Sequence, residues 1–142
     1  MADRSLRASP DGWARAAVAL YDAVGADRIV AEANQGGAMV EAVIRTVRPD
    51  VPLTLVHASR GKVTRGEPVA AMWEQGRGHI VGSLPELEEE LASFAPGLME
   101  HSPDRADAMV WAATSLVESA PGEGLMTYYR EEAAKLKAGG AP

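Results

Sequence analysis

Two short apolar segments, Arg28-Ile-Val-Ala-Glu-Ala33 and Leu53-Thr-Leu-Val-His57, flank a stretch that carries Met39, Val40, Val43, Ile44 and Val47 on one helical face. The first segment closes on Asn34-Gln35-Gly36-Gly37, and Pro49-Asp50-Val51-Pro52 precedes the second, so turn residues bound both runs. Strand, helix and strand within about thirty residues make a βαβ unit, whose crossover is parallel and right-handed in nearly all proteins. This unit predicts an α/β chain: a sheet with parallel βαβ connectivity, flanked by helices.

The remaining punctuation predicts where those helices lie. Ser9-Pro10-Asp11-Gly12 supplies an N-cap and a proline at the first helical position, and Gly25 ends the helix over 10–24. Glu67-Pro68 reads as the opening of a helix through Val69, Met72 and Trp73 to Gly76, with Gly78-His-Ile-Val81 as a brief third strand. Leu84-Pro85 opens a short acidic helix with an apolar edge at Leu87, Leu91 and Phe94, its four carboxylates reading as a solvated face. Ser102-Pro103-Asp104 caps a long helix with an apolar stripe through Ala106, Met109, Val110, Ala113, Leu116, Val117 and Ala120. A last helix fits 123–138, giving one domain over 1–122 followed by a C-terminal helix and frayed tail over 123–142.

Composition narrows the function classes. At 142 residues a chain buries roughly 68–70% of its unfolded surface in one core. The chain has no cysteine, which removes disulfides, thiolate metal sites and cysteine nucleophiles. It has no apolar run of membrane-spanning length and no signal peptide, so a soluble intracellular protein is expected. Residues 1–65 carry nine Lys/Arg against seven Asp/Glu, whereas residues 66–142 carry five against thirteen. That imbalance excludes a uniformly basic nucleic-acid binder. Yet His57-Ala-Ser-Arg60-Gly-Lys62-Val-Thr-Arg65 holds three cations and no acid, a phosphate-compatible patch that reads equally as a solvated loop.

Three carboxylates stand out. Glu32 lies at the carboxyl end of a strand, one residue before the last of the apolar run, where open α/β sheets place their ligand crevice. In a sheet covered on both faces its charge requires compensation; on an edge strand it would simply face water. Asp104 and Asp107, three apart at the start of the long helix, project from neighbouring positions. Asp104 alone is explained by dipole-favouring capping, but Asp107 lies further in. Glu32 and Asp107 aimed at one crevice would offer hard oxygen ligands suited to Mg2+ or Mn2+ rather than zinc. His79 and His101 have no triad or metalloprotease context. The Asn34 to Gly37 turn is neither a Walker A nor a dinucleotide fingerprint, and Trp13, Trp73 and Trp111 read as core or interface fillers.

These blocks together carry a resemblance. Asp27-Arg-Ile-Val-Ala-Glu32-Ala-Asn-Gln-Gly-Gly37-Ala-Met-Val40, Ala58-Ser-Arg-Gly-Lys62, Arg65-Gly-Glu-Pro68, Glu74-Gln-Gly76, Leu84-Pro-Glu-Leu-Glu88 and Ser102-Pro-Asp-Arg-Ala-Asp107-Ala-Met-Val-Trp111-Ala resemble the C-terminal nuclease domain of the large terminase subunit. That subunit is the DNA-packaging motor of tailed bacteriophages and gene-transfer agents. The resemblance runs over about residues 3–118. It implies a partial RNase H-like fold with a mixed sheet, and a metal-dependent endonuclease that cuts concatemeric double-stranded DNA. Glu32 matches the family's acid at the end of a central strand, Asp107 matches the acid of its late helix, and Asp104 falls at a further metal-proximal position. The implied chemistry is two-metal phosphodiester hydrolysis with Mg2+ or Mn2+, with Arg60, Lys62 and Arg65 on the DNA backbone. The implied setting is a bacterial host's cytoplasm, with portal and small-terminase partners and no membrane.

The chain also departs from that pattern. In that family the first metal-binding aspartate lies on an opening strand upstream of the matching blocks, and the resemblance implies that Asp3 is not that residue, because Ala2-Asp3-Arg4-Ser5-Leu6 resembles a later strand end. An incomplete, inactive or impaired site is therefore implied, together with a free sheet edge beside Glu32 through which a homodimer could form. Two other readings stay open: a non-catalytic remnant that binds DNA or a packaging partner, and a small-molecule α/β enzyme that holds a phosphate at Gly36-Gly37.

Overall fold

The computed structural model describes residues 2–34, 36–95 and 102–118. Gln35, His101 and the expected helix over 123–138, with the domain boundary at 122, lie outside the described residues. The elements follow in the order α1 (Pro10–Val24), β1 (Ile29–Glu32), α2 (Gly37–Val47), β2 (Leu53–Val56), α3 (Lys62–Glu74), α4 (Pro85–Ala92) and α5 (Asp104–Glu118). The βαβ unit is present: β1 and β2 pair in parallel, with Ile29 opposite Leu53 and Glu32 opposite Val56. The fold is α/β, with helices flanking a parallel pair of strands.

Strand alternation divides the molecule into two apolar clusters. Ile29 and Leu53 point to one side, where they pack with Ala14, Ile44 and Val51 between α1, α2 and the sheet. Val30 and Glu32 point to the other side and line a groove against α5. Beyond that groove, Val69, Leu87, Ala106, Met109 and Val110 form the second cluster, built from α3, α4 and α5. Ser9 caps α1 by accepting a hydrogen bond from the Gly12 N–H at 3.2 Å, and Gly25 ends that helix in the left-handed region, as the sequence predicts.

Three expectations need correction. First, α3 starts at Lys62, five residues before the expected Glu67-Pro68 opening, and Pro68 lies inside it. The proline looked like a helix start because Gly61, the true cap position, offers no side-chain cap. As a result Lys62 and Arg65 leave the loop and share one helical face, three positions apart. Second, Gly78-His-Ile-Val81 forms no strand; Ile80 instead packs against the α3–α4–α5 cluster from an irregular segment, and Val81 is exposed. Third, the acidic helix is not wholly a solvated face. Its Glu90 turns inward and accepts from the Arg105 and Ala106 N–H groups at 2.8 and 3.0 Å, so α4 supplies the cap at the start of α5. Among the described residues no helix is long and apolar enough to cross a membrane.

Candidate functional site

The site forms where the end of β1, the first turn of α3 and the first two turns of α5 meet. Asp107 is held deep, with 8% of its side chain exposed, and both its oxygens accept from Nη2 of Arg65, at 2.6 and 2.8 Å. The same nitrogen lies 3.6 Å from Oε2 of Glu32, whose side chain is 36% exposed. An acid from the sheet and an acid from the late helix therefore face one point, and a guanidinium stands there.

Trp111, one helical turn beyond Asp107, contacts both Glu32 and Arg65. Its Nε1 donates to Oε2 of Glu32 at 3.0 Å, and its ring lies 4.9 Å from the Arg65 guanidinium carbon. Nη1 of Arg65 donates to the Arg60 carbonyl at 2.7 Å, while Nε is buried without a partner among the described residues. Lys62 covers the outer side: its Nζ lies 2.8 Å from Asp104 and 3.8 Å from Asp107, and it donates to Ser102 Oγ at 2.8 Å. The Lys62 ammonium, followed by the Ser102 hydroxyl, holds the Asp104 carboxyl below the usual carboxylate range. Asp104 itself is 78% exposed, so its ion pair is a surface contact.

The three carboxylates singled out in the sequence thus gather at one end of the groove, a concavity of about 550 Å3 lined by Arg28, Val30, Glu32, Asp107, Trp111 and Leu116 among others. Of the three cations expected on DNA, Arg60 stays exposed on the loop, Lys62 bridges the acids, and Arg65 lies inside the site with 11% of its side chain exposed. The glycine turn does something different. Asn34 clamps the chain after β2, donating from Nδ2 to the Ala58 carbonyl at 3.0 Å and accepting from the Ala58 N–H at 2.6 Å. Gly36 has φ +76°, and a Cβ on Gly37 would come within 2.5 Å of the Ala33 Cβ, so both positions need glycine to bring α2 close against the strand end.

Sequence reasoning missed Trp111 and the inward role of Arg65. The four-residue spacing from Asp107 to Trp111 placed that ring on the acidic face and was the available signal.

The donor set is chemically that of a hard divalent cation, with carboxylate oxygens and no imidazole or thiolate. The arrangement does not fit one as it stands. Among the described residues no three His, Asp or Glu side chains group so as to hold a metal ion. Arg65 takes both oxygens of Asp107, and Lys62 takes Asp104.

No curated protein and no solved structure matches the chain. A family model described as the terminase RNaseH-like domain matches residues 4–116, a span that includes β1, the first turn of α3, and α5 as far as Leu116. Most of the chain is covered by that match, and its α/β architecture agrees with a partial RNase H-like fold; the chain belongs to the terminase RNaseH-like domain family.

Proposed function

We propose that this chain is the nuclease part of a DNA-packaging terminase large subunit of a bacteriophage or gene-transfer agent, acting on concatemeric double-stranded DNA in the cytoplasm of a bacterial host. The observation that carries this reading is the convergence of Glu32 and Asp107, from separate elements, on one guanidinium nitrogen. Two desolvated or half-desolvated carboxylates at one point are what phosphodiester hydrolysis assisted by Mg2+ or Mn2+ requires. The family match covers both positions. Because Arg65 and Lys62 neutralise the acids here, an impaired endonuclease is expected.

What this chain's own residues would do is more limited. Arg60, exposed on the loop before α3, would attract backbone phosphates without reading sequence. Trp111 orients Glu32, and Arg65 orients Asp107. The N–H and C=O groups of Val30 and Glu32 face away from β2, because the alternate residues Ile29 and Ala33 donate across to Pro52 and Val56. That edge would take a strand from a second copy or from a packaging partner such as the portal or the small terminase subunit.

A second reading, a non-catalytic remnant that binds DNA or a packaging partner, is favoured by the same closure of the acids by Arg65 and Lys62. A plasmid-nicking assay with Mn2+ on the wild type, Glu32→Gln and Asp107→Asn separates the two. Nicking by the wild type that is lost in both variants supports the nuclease. No nicking by any of them, with duplex DNA still shifted at low salt, supports the remnant. Stabilisation by phosphate without DNA binding would support the phosphate-binding enzyme instead.

A further inference from the structure

The acidic site and its cation are built from one chain, and the bond pattern around Arg65 shows how the two compete. A divalent ion on Asp107 needs oxygen contacts of about 2.0–2.1 Å for Mg2+. Both Asp107 oxygens already accept from Nη2 of Arg65 at 2.6 and 2.8 Å, and Glu32 lies 3.6 Å from the same nitrogen. Two cations cannot share that point. The guanidinium is fixed there by more than Coulomb attraction, since it lies over the Trp111 ring and Nη1 reaches the Arg60 carbonyl. It is not, however, a fully satisfied structural ion pair: Nε is buried with no partner among the described residues, so the edge that grips an oxyanion with two parallel bonds is only half used there. Lys62 adds a second fixed positive charge 3.8 Å from Asp107.

We propose that Arg65 is the resident cation of this site, occupying the place of a divalent ion and excluding it. The inference rests on the nuclease reading only in taking Glu32 and Asp107 as the acidic site. It makes metal affinity a property of the Arg65 position: neutralising that side chain opens the site to the ion, and keeping a charge there leaves it closed.

The experiment is Mn2+ titration of the full chain by calorimetry, with melting temperature as a second readout, on the wild type, Arg65→Met, Arg65→Lys and the double variant Arg65→Met with Glu32→Gln. Arg65→Met is expected to bind Mn2+ at least about tenfold more tightly than the wild type, within the usual range of coupling between competing sites. Its melting temperature should fall without Mn2+ and recover with it, because Mn2+ replaces the lost charge beside Asp107. Arg65→Lys should stay as weak as the wild type, and the double variant should lose the gain. Should Arg65→Met be unfolded without metal, recovery of its circular dichroism on adding Mn2+ reads out the same competition, and Arg65→Gln repeats it.

Wild-type binding as tight as that of Arg65→Met overturns the proposal, as does a lack of Mn2+ response in both neutral variants. The two readings fail separately. Mn2+ binding gained in Arg65→Met with no nicking by any protein removes the nuclease and leaves the proposal standing. Nicking that depends on Glu32 and Asp107 in a wild type that binds Mn2+ tightly does the reverse.

Discussion

At the scale of single residues, the site is a problem in charge compensation. Asp107 is nearly out of water, and a buried carboxylate is tolerated only with a partner and hydrogen bonds, which Arg65 supplies twice. Asp104 and Asp3 are compensated nearer the surface, and both titrate below the ordinary range. Asp104 does so through Lys62 and Ser102, and Asp3 through the Ser5 hydroxyl, helped by Arg105. A carboxylate whose folded value is depressed contributes stability that is fully present above its unfolded pKa of about 3.9 and is lost as pH falls through the folded value. Stability measured by urea unfolding should therefore be insensitive to these two groups from pH 7 to 5 and decline below about pH 4. Asp104→Asn should flatten part of that acid limb, by a small amount because the pair is exposed. An unchanged slope in Asp104→Asn would argue that the Lys62 contact contributes nothing in solution.

Elements were legible in the sequence where one local signal decided them. The βαβ unit, the cap of α1 and the start of α5 all follow from spacing and turn chemistry over a few residues. Where a tertiary contact decided, the sequence was silent. Pro68 concealed the first turn of α3, and with it the fact that Lys62 and Arg65 share a face. The segment at 78–81 has strand composition, but Ile80 is used to cover an apolar cluster. Among the site residues, Glu32 and Asp107 were legible because a carboxylate is anomalous at a strand end or inside a helix. Trp111, Arg65 and Glu90 were not, since an indole, a guanidinium or one carboxylate in an acidic run is ordinary until its partner is known. Glu90 gives the clearest test at this scale. It accepts from two N–H groups of α5 and pairs with Arg105 at 3.1 Å. Glu90→Ala should cost about 2 kcal/mol in urea unfolding. It should also speed hydrogen exchange at Arg105 and Ala106, and slow exchange there would show that the cap comes from elsewhere.

For the whole molecule, the two-stranded described sheet leaves β1 with an outward edge at Val30 and Glu32, immediately beside the acidic site. Unpaired edges invite strand addition. Light scattering should show association that grows with protein concentration. Val30→Pro should suppress it without unfolding the monomer, because the lost N–H points away from β2. A wild type that stays monomeric at high concentration would contradict a strand-accepting edge. Such association would place a neighbouring strand against Glu32, so assembly and the chemistry of the site would be linked through one residue.

The proposition on which function and inference both depend is that Glu32 and Asp107 share a single cation position held by Arg65. Double-mutant cycles in urea unfolding test it most directly, pairing Arg65→Met in turn with Asp107→Asn and with Glu32→Gln. Coupling of about 2 kcal/mol is expected for Asp107 and about 0.5 kcal/mol for the more exposed Glu32. Additive effects in both cycles would mean that the two acids do not meet at that guanidinium.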